Sequence, residues 1–214
     1  MTREPAEPQT ASSIEPFGPG SDRRRYYFDA RVNATMVSVF QGDFFTSANP
    51  NEIITTVLGS CIAVCVRDPD IRFGGMNHFL LPNAAKGQSI LPSRELRYGS
   101  YSIERLVNAI LAHGGRRSRL EIKVFGGANL TQGSQAIGSE NISFVEKYFE
   151  REGLVVAASD LGGNLPRRVR YYPVTGRAQV AQSQDGASFG VFAREQGLKE
   201  NSSLLARHGR AELF

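Results

Sequence analysis

Two apolar, β-prone runs, Ile62–Val66 and Met76–Leu81, flank the tetrapeptide Arg67-Asp68-Pro69-Asp70. Proline fixes φ and aspartate side chains bond nearby backbone amides, so the tetrapeptide carries strong turn chemistry. The stretch is expected to fold as an antiparallel hairpin ended by Pro82. With strands at 62–67 and 72–81 and a four-residue loop centred between Pro69 and Asp70, opposed residues have numbers summing to about 139. That register sets Cys61 opposite His78, with Cβ atoms about 4.5–5.5 Å apart. A slip of one residue would send the two side chains to opposite faces.

The remaining pattern surrounds this hairpin with alternating helices and strands. Val37–Phe45 reads as a strand, a glycine turn and another strand. Residues 83–97 read as an exposed loop. Ile103, Leu106, Val107, Ile110 and Leu111 fall on one face of a helix, with Ser100 or Ser102 to cap it and Gly114 to stop it. Leu120, Ile122 and Val124 alternate as a strand that runs into Gly126-Gly127-Ala128-Asn129. A second helix is expected over Ser139–Glu152, ending at Gly153, followed by a strand at Leu154–Ala158. Val169–Tyr171 and Ala178–Val180 form a second hairpin about Thr175-Gly176. The sum is a single α/β domain with two helices and mostly antiparallel strands.

Residues 1–24 are expected to be a disordered tail, since the first 22 hold four prolines and almost no large apolar residue. The globular domain then spans 25–181. Residues 182–214 form a polar extension that packs on the domain or is partly flexible. Hydrophobic residues are 41% and charged residues 21% of the 214, ordinary for a globular protein. No run approaches the ~20 apolar residues needed to cross a bilayer, and Met1–Pro5 lacks the apolar core of a secretory signal. Two cysteines are too few for a disulfide-stapled secreted fold, so a cytoplasmic protein without membrane insertion is expected. The net charge of +4 comes with scattered arginine clusters and no nucleic-acid motif, so no nucleic-acid partner is expected.

Cys61 follows Gly59-Ser60, which lets the backbone turn sharply and leaves amides free to face an oxyanion. A neighbouring imidazole can take the thiol proton and activate the sulfur as a nucleophile. Thr55 and Thr56 are both candidates to bond the far nitrogen of His78 and fix its tautomer. The bland alternatives stay open here: cysteine is among the most buried residue types, and His78 could be a structural histidine. Cys65, inside its apolar run, reads as core. Cys61 and Cys65 on one strand would lie ~13 Å apart, too far for a disulfide and a poor start for a zinc site.

The order of these segments strongly resembles the chemoreceptor glutamine deamidase family, CheD. The resemblance is carried by Thr55-Thr56-Val57-Leu58-Gly59-Ser60-Cys61-Ile62-Ala63-Val64-Cys65, by Arg67-Asp68-Pro69, and by Gly75-Met76-Asn77-His78-Phe79-Leu80-Leu81-Pro82. It continues through Phe125–Ala128, Ile137-Gly138 with Asn141, Asp160–Asn164, Thr175-Gly176 and the closing Gly209–Phe214. It implies an α/β/β sandwich similar to the catalytic domain of cytotoxic necrotizing factor toxins. It also implies a triad of Cys61, His78 and a threonine six residues before the cysteine, which is Thr55, with Thr56 the adjacent competitor. The implied substrates are glutamines on the cytoplasmic helices of methyl-accepting chemoreceptors, deamidated without metal or organic cofactor. Methylesterase activity on the same site and binding of a CheC-type phosphatase are further implications.

Overall fold

The computed structural model describes residues 26–81, 92–130, 135–182 and 211–213. Eleven strands are described: β1 Tyr26–Asp29, β2 Ala34–Ser38, β3 Phe44–Ser47, β4 Glu52–Leu58, β5 Ile62–Asp68, β6 Phe73–Asn77, β7 Glu121–Gly126, β8 Val156–Leu161, β9 Arg167–Tyr171, β10 Ala178–Gln182 and β11 Ala211–Leu213. Helix α1 spans Pro92–Ala112 and α2 spans Gln135–Arg151, with a single 3-10 turn at Arg117–Arg119. The strands form two sheets, one in the order β1-β2-β4-β9-β10-β11 and one in the order β3-β6-β5-β7-β8. Pairing is antiparallel except between β2 and β4 and between β7 and β8.

Alternation along β5 explains the layering. Ile62, Val64 and Val66 point to a core shared with Ile103, Leu106 and Ile110 of α1 and with Phe144, Val145 and Phe149 of α2. Cys65 and Ala63 point the other way, to a second core shared with Ile54 and Leu58 of β4 and with Val169 and Tyr171 of β9. The five-stranded sheet is thus the middle layer, with helices on one face and the six-stranded sheet on the other. This is the expected α/β/β sandwich. Strands apolar on both sides are what a middle layer requires.

The hairpin of β5 and β6 forms as expected, with a different register. Asp68 pairs with Phe73 and Cys65 with Met76, so opposed residues sum to 141 rather than 139. The loop still has four residues, but it is centred one position later, where Arg72 takes a positive φ of 53°. Asp68 holds the start of that loop from beneath: it accepts hydrogen bonds from the backbone amides of Asp70 and Arg116 and a 2.6 Å ion pair from Arg119. The Arg119 guanidinium accordingly draws the Asp68 carboxyl down to about 2.

Helix α1 starts earlier than its apolar face suggested, so residues 92–97 are helical rather than loop; the remainder of that expected loop lies outside the described residues from 82 on. Proline at the first helical position costs nothing, because its missing N–H would have had no partner there. Ser100 and Ser102 therefore lie within the helix and cap nothing. Gly114 ends it as expected, with φ 97°. Helix α2 likewise begins four residues before Ser139, and Gly153 ends it with φ 61°. The hairpin of β9 and β10 forms about Thr175-Gly176, where Gly176 has φ 74°. The expected tail at residues 1–24 lies outside the described residues.

Candidate active site

The turn that precedes β5 is held by hydrogen bonds to its backbone from two other elements. The amides of Gly127 and Ala128 donate to the carbonyls of Cys61 and Gly59, both at 2.8 Å. Gly126, at the end of β7, has φ 118°, and a Cβ there would run into the Cys61 carbonyl. Asn141 of α2 is fully buried and ties the same turn to the end of the hairpin. Its Nδ2 donates to the carbonyls of Ser60 (3.1 Å) and Ile137 (2.8 Å), and its Oδ1 accepts the Leu81 amide at 2.9 Å. The bend at Gly59-Ser60 is thereby fixed, and Cys61 is held at the mouth of β5 rather than inside its ladder.

Ile62 and Phe79 exchange both backbone hydrogen bonds at 2.9 Å, which carries the register of 141 to the end of the hairpin. Extending it by one residue sets Cys61 across from Leu80 and His78 across from Ala63. The expected direct opposition of Cys61 and His78 is therefore corrected to a diagonal one. A two-residue shift preserves the face, so both side chains still point into the space between the sheets. Diagonal partners stand about 7–8 Å apart at Cα and closer at Cβ.

His78 is held from three sides. Its backbone accepts from the Gly42 amide at 2.7 Å and donates to the Asp43 carbonyl at 3.0 Å. Its Nδ1 lies 2.9 Å from Thr56 Oγ1 and 3.4 Å from the Val39 carbonyl. The Thr56 hydroxyl has one proton, and it donates that proton to the Val39 carbonyl at 2.8 Å. Its oxygen must then accept from His78, so Nδ1 carries the ring proton and Nε2 keeps its lone pair. Nε2 is buried with no hydrogen-bond partner among the described residues. Burial lowers the His78 pKa to about 4, with the Val39 carbonyl pulling the other way, so the ring is neutral at pH 7. A neutral imidazole with a fixed tautomer and an open nitrogen is suited to accept a proton.

Thr55 does not meet His78. Its hydroxyl donates to the Val169 carbonyl at 2.9 Å. Along β4, Ile54 and Leu58 face the inter-sheet core, and Thr56 shares their parity, while Thr55 shares the parity of Ile53, which packs in a separate cluster with Ala34 and Met36. Counting an even offset from Thr55 to Cys61 fails because the Gly59-Ser60 bend intervenes and β4 and β5 belong to different sheets. The partner of His78 is Thr56.

Cys61 is 2% exposed, and its sulfur lies 3.8 Å from the Oε1 of Gln41. Gln41 and the Val39 carbonyl are parts of the site that sequence reasoning missed. A backbone carbonyl leaves no signal in residue identity; Gln41 sits beside the Gly42 turn, which was the available hint. Among the described residues, no three His, Cys, Asp or Glu side chains gather to hold a metal ion.

A family model described as CheD chemotactic sensory transduction matches residues 80–182, a stretch that begins just after His78. The chain is 45% identical over 193 residues to the probable chemoreceptor glutamine deamidase CheD of Rhodopseudomonas palustris, covering 90% of this chain and 91% of that protein. It is 40% identical over 180 residues to the protein of the same description from Hahella chejuensis, covering 84% and 85%. For that of Saccharophagus degradans the identity is 39% over 209 residues, covering 94% of each.

Proposed function

Because the chain belongs to the chemoreceptor glutamine deamidase family, CheD, we propose that it hydrolyses glutamine side chains of chemoreceptors to glutamate, with Cys61 as nucleophile, His78 as base and Thr56 holding His78 in register. The observation that carries the residue assignment is the tautomer: Thr56 and the Val39 carbonyl together leave the open nitrogen of His78 on the inter-sheet face that Cys61 shares.

The resting pair is neutral, because burial disfavours an imidazolium. As the Cys61 sulfur attacks the carboxamide carbon, its proton passes to His78 Nε2. The tetrahedral intermediate collapses by expelling ammonia, protonated from His78. A water molecule then attacks the thioester, again with His78 as base, and glutamate leaves with the thiol restored. Fixing Nδ1–H on Thr56 keeps the same nitrogen available for both transfers. The same acyl chemistry accepts a methyl ester in place of the amide, which extends the reading to methylesterase activity.

The substrate glutamines lie on the receptors' cytoplasmic helices, and the protein works in the cytoplasm. No described helix is long and apolar enough to cross a membrane. Ammonia release from a purified receptor cytoplasmic fragment tests the reading. The wild-type chain should release it. A chain that binds the fragment without releasing ammonia is an adaptor, and one that deamidates other proteins but not the fragment has a different substrate.

A further inference from the structure

We infer that Gln41 is a further catalytic residue, its carboxamide serving as a side-chain donor to the negative charge that develops beside the Cys61 sulfur. The inference rests on the cysteine-hydrolase reading above and adds a role for a group outside the Cys61, His78 and Thr56 set.

Gln41 lies on a turn that the site itself anchors. The Asp43 amide donates to the Phe40 carbonyl at 3.0 Å, and the two hydrogen bonds to the His78 backbone clamp Gly42 and Asp43 to the end of the hairpin. Gly42, with φ 89°, permits the tight reversal. Gln41 is exposed to solvent, yet its Oε1 is 3.8 Å from a nearly buried sulfur. An exposed glutamine gains little packing from lying in that place, and its anchorage comes from the backbone that also fixes the base.

A carboxamide carries an acceptor and two donors on one planar group, and rotation about its last torsion exchanges them. In the resting state the thiol donates to Oε1. Once the proton has moved to His78, a carbonyl oxygen facing the sulfur is repelled, and the turned group presents N–H instead. During attack the S–C bond forms and the carbonyl π pair moves onto the substrate oxygen, next to the sulfur and within reach of the same N–H. That hydrogen bond strengthens as charge develops, which is the condition for lowering a barrier rather than merely binding substrate. The balance is unchanged: carboxamide and water give carboxylate and ammonium.

The test uses the full chain, a receptor cytoplasmic fragment and iodoacetamide. Loss of one side-chain donor to an oxyanion lowers kcat by roughly 10²–10³, so Gln41→Ala should fall by that factor with KM little changed. Gln41→Glu, which offers no donor, should be at least as slow, and its Cys61 alkylation should shift to higher pH because a carboxylate opposes the thiolate. Both variants alter an exposed side chain and should fold as the wild type does. A Gln41→Ala enzyme as fast as wild type, or faster, would overturn the inference and make Gln41 a cover over the thiol. If the wild-type chain releases no ammonia, the deamidase reading fails instead, and an unshifted Gln41→Glu alkylation profile would then overturn the role of Gln41 on its own.

Discussion

Cys61 and Cys65 share a face of the middle sheet and border the same apolar cluster, but their surroundings diverge along β5. Cys65 lies in mid-ladder, paired with Met76 on one side and Lys123 on the other. Burial pushes its thiol well above the ordinary value, and the nearby Lys123 charge only partly opposes this. Cys61 precedes the first ladder residue, on a bend fixed by Gly127, Ala128 and Asn141, with the Gln41 carboxamide oxygen 3.8 Å from its sulfur and His78 diagonally across the hairpin on the same face. On the proposed mechanism, burial alone does not separate a structural thiol from a reactive one. What separates them is whether the backbone stops pairing at that point and polar groups converge there.

The largest effect should come from exchanging the fates of the two cysteines. Cys61→Ala should abolish ammonia release while the fold stays intact. Cys65→Ala should keep most activity and lose about 1–2 kcal/mol of stability through a small core cavity, read from denaturant unfolding. A dead Cys65→Ala with an active Cys61→Ala would reverse the comparison.

Next in size is the base. His78→Asn keeps a polar shape but shuttles no proton near neutrality, so kcat should fall by roughly 10²–10⁴. The two threonines then sharpen the geometry. Thr56→Ala should lower kcat by up to roughly 10²-fold, as misplacement of a catalytic group does, whereas Thr55→Ala should cost far less, since its hydroxyl serves only the Val169 carbonyl. Steady-state rates of the two single variants compare them directly, and a Thr55→Ala enzyme slower than Thr56→Ala contradicts the assignment.

A last effect is on stability against pH. The folded-state pKa of His78, about 4, lies below the unfolded value of 6.5. Its contribution is therefore fully present above pH 6.5 and is lost as pH falls towards 4, because the unfolded chain binds the proton first. Across that window the wild type should lose on the order of 2–3 kcal/mol relative to His78→Asn, measured by urea unfolding at each pH. Parallel curves would show that the ring is not held neutral.

Much of this arrangement was legible in the residues. The Pro-Asp turn and its flanking apolar runs specified the hairpin, and side-chain parity sufficed to bring Cys61 and His78 to one face. The register escaped by two because the turn centre depends on Arg72 adopting a left-handed backbone, which its residue type does not announce. Thr55 was favoured over Thr56 by an offset counted through a glycine bend, where alternation no longer holds. The start of α1 was hidden because Pro92 reads as a break, though at a helix start it is tolerated. The placement of the Val39 carbonyl and Gln41 beside the site depends on β2 and β3 entering different sheets, a long-range outcome that no local pattern encodes.

The proposed mechanism turns on Cys61 carrying the acyl group. Acid-quenched single turnovers of the wild-type chain on a receptor cytoplasmic fragment, followed by digestion and mass spectrometry, test this most directly. A hydroxylamine-sensitive glutamyl thioester on the Cys61 peptide should rise and decay as glutamine becomes glutamate. An adduct on the Cys65 peptide, or conversion at the full rate with no adduct on Cys61 at any time, would contradict it.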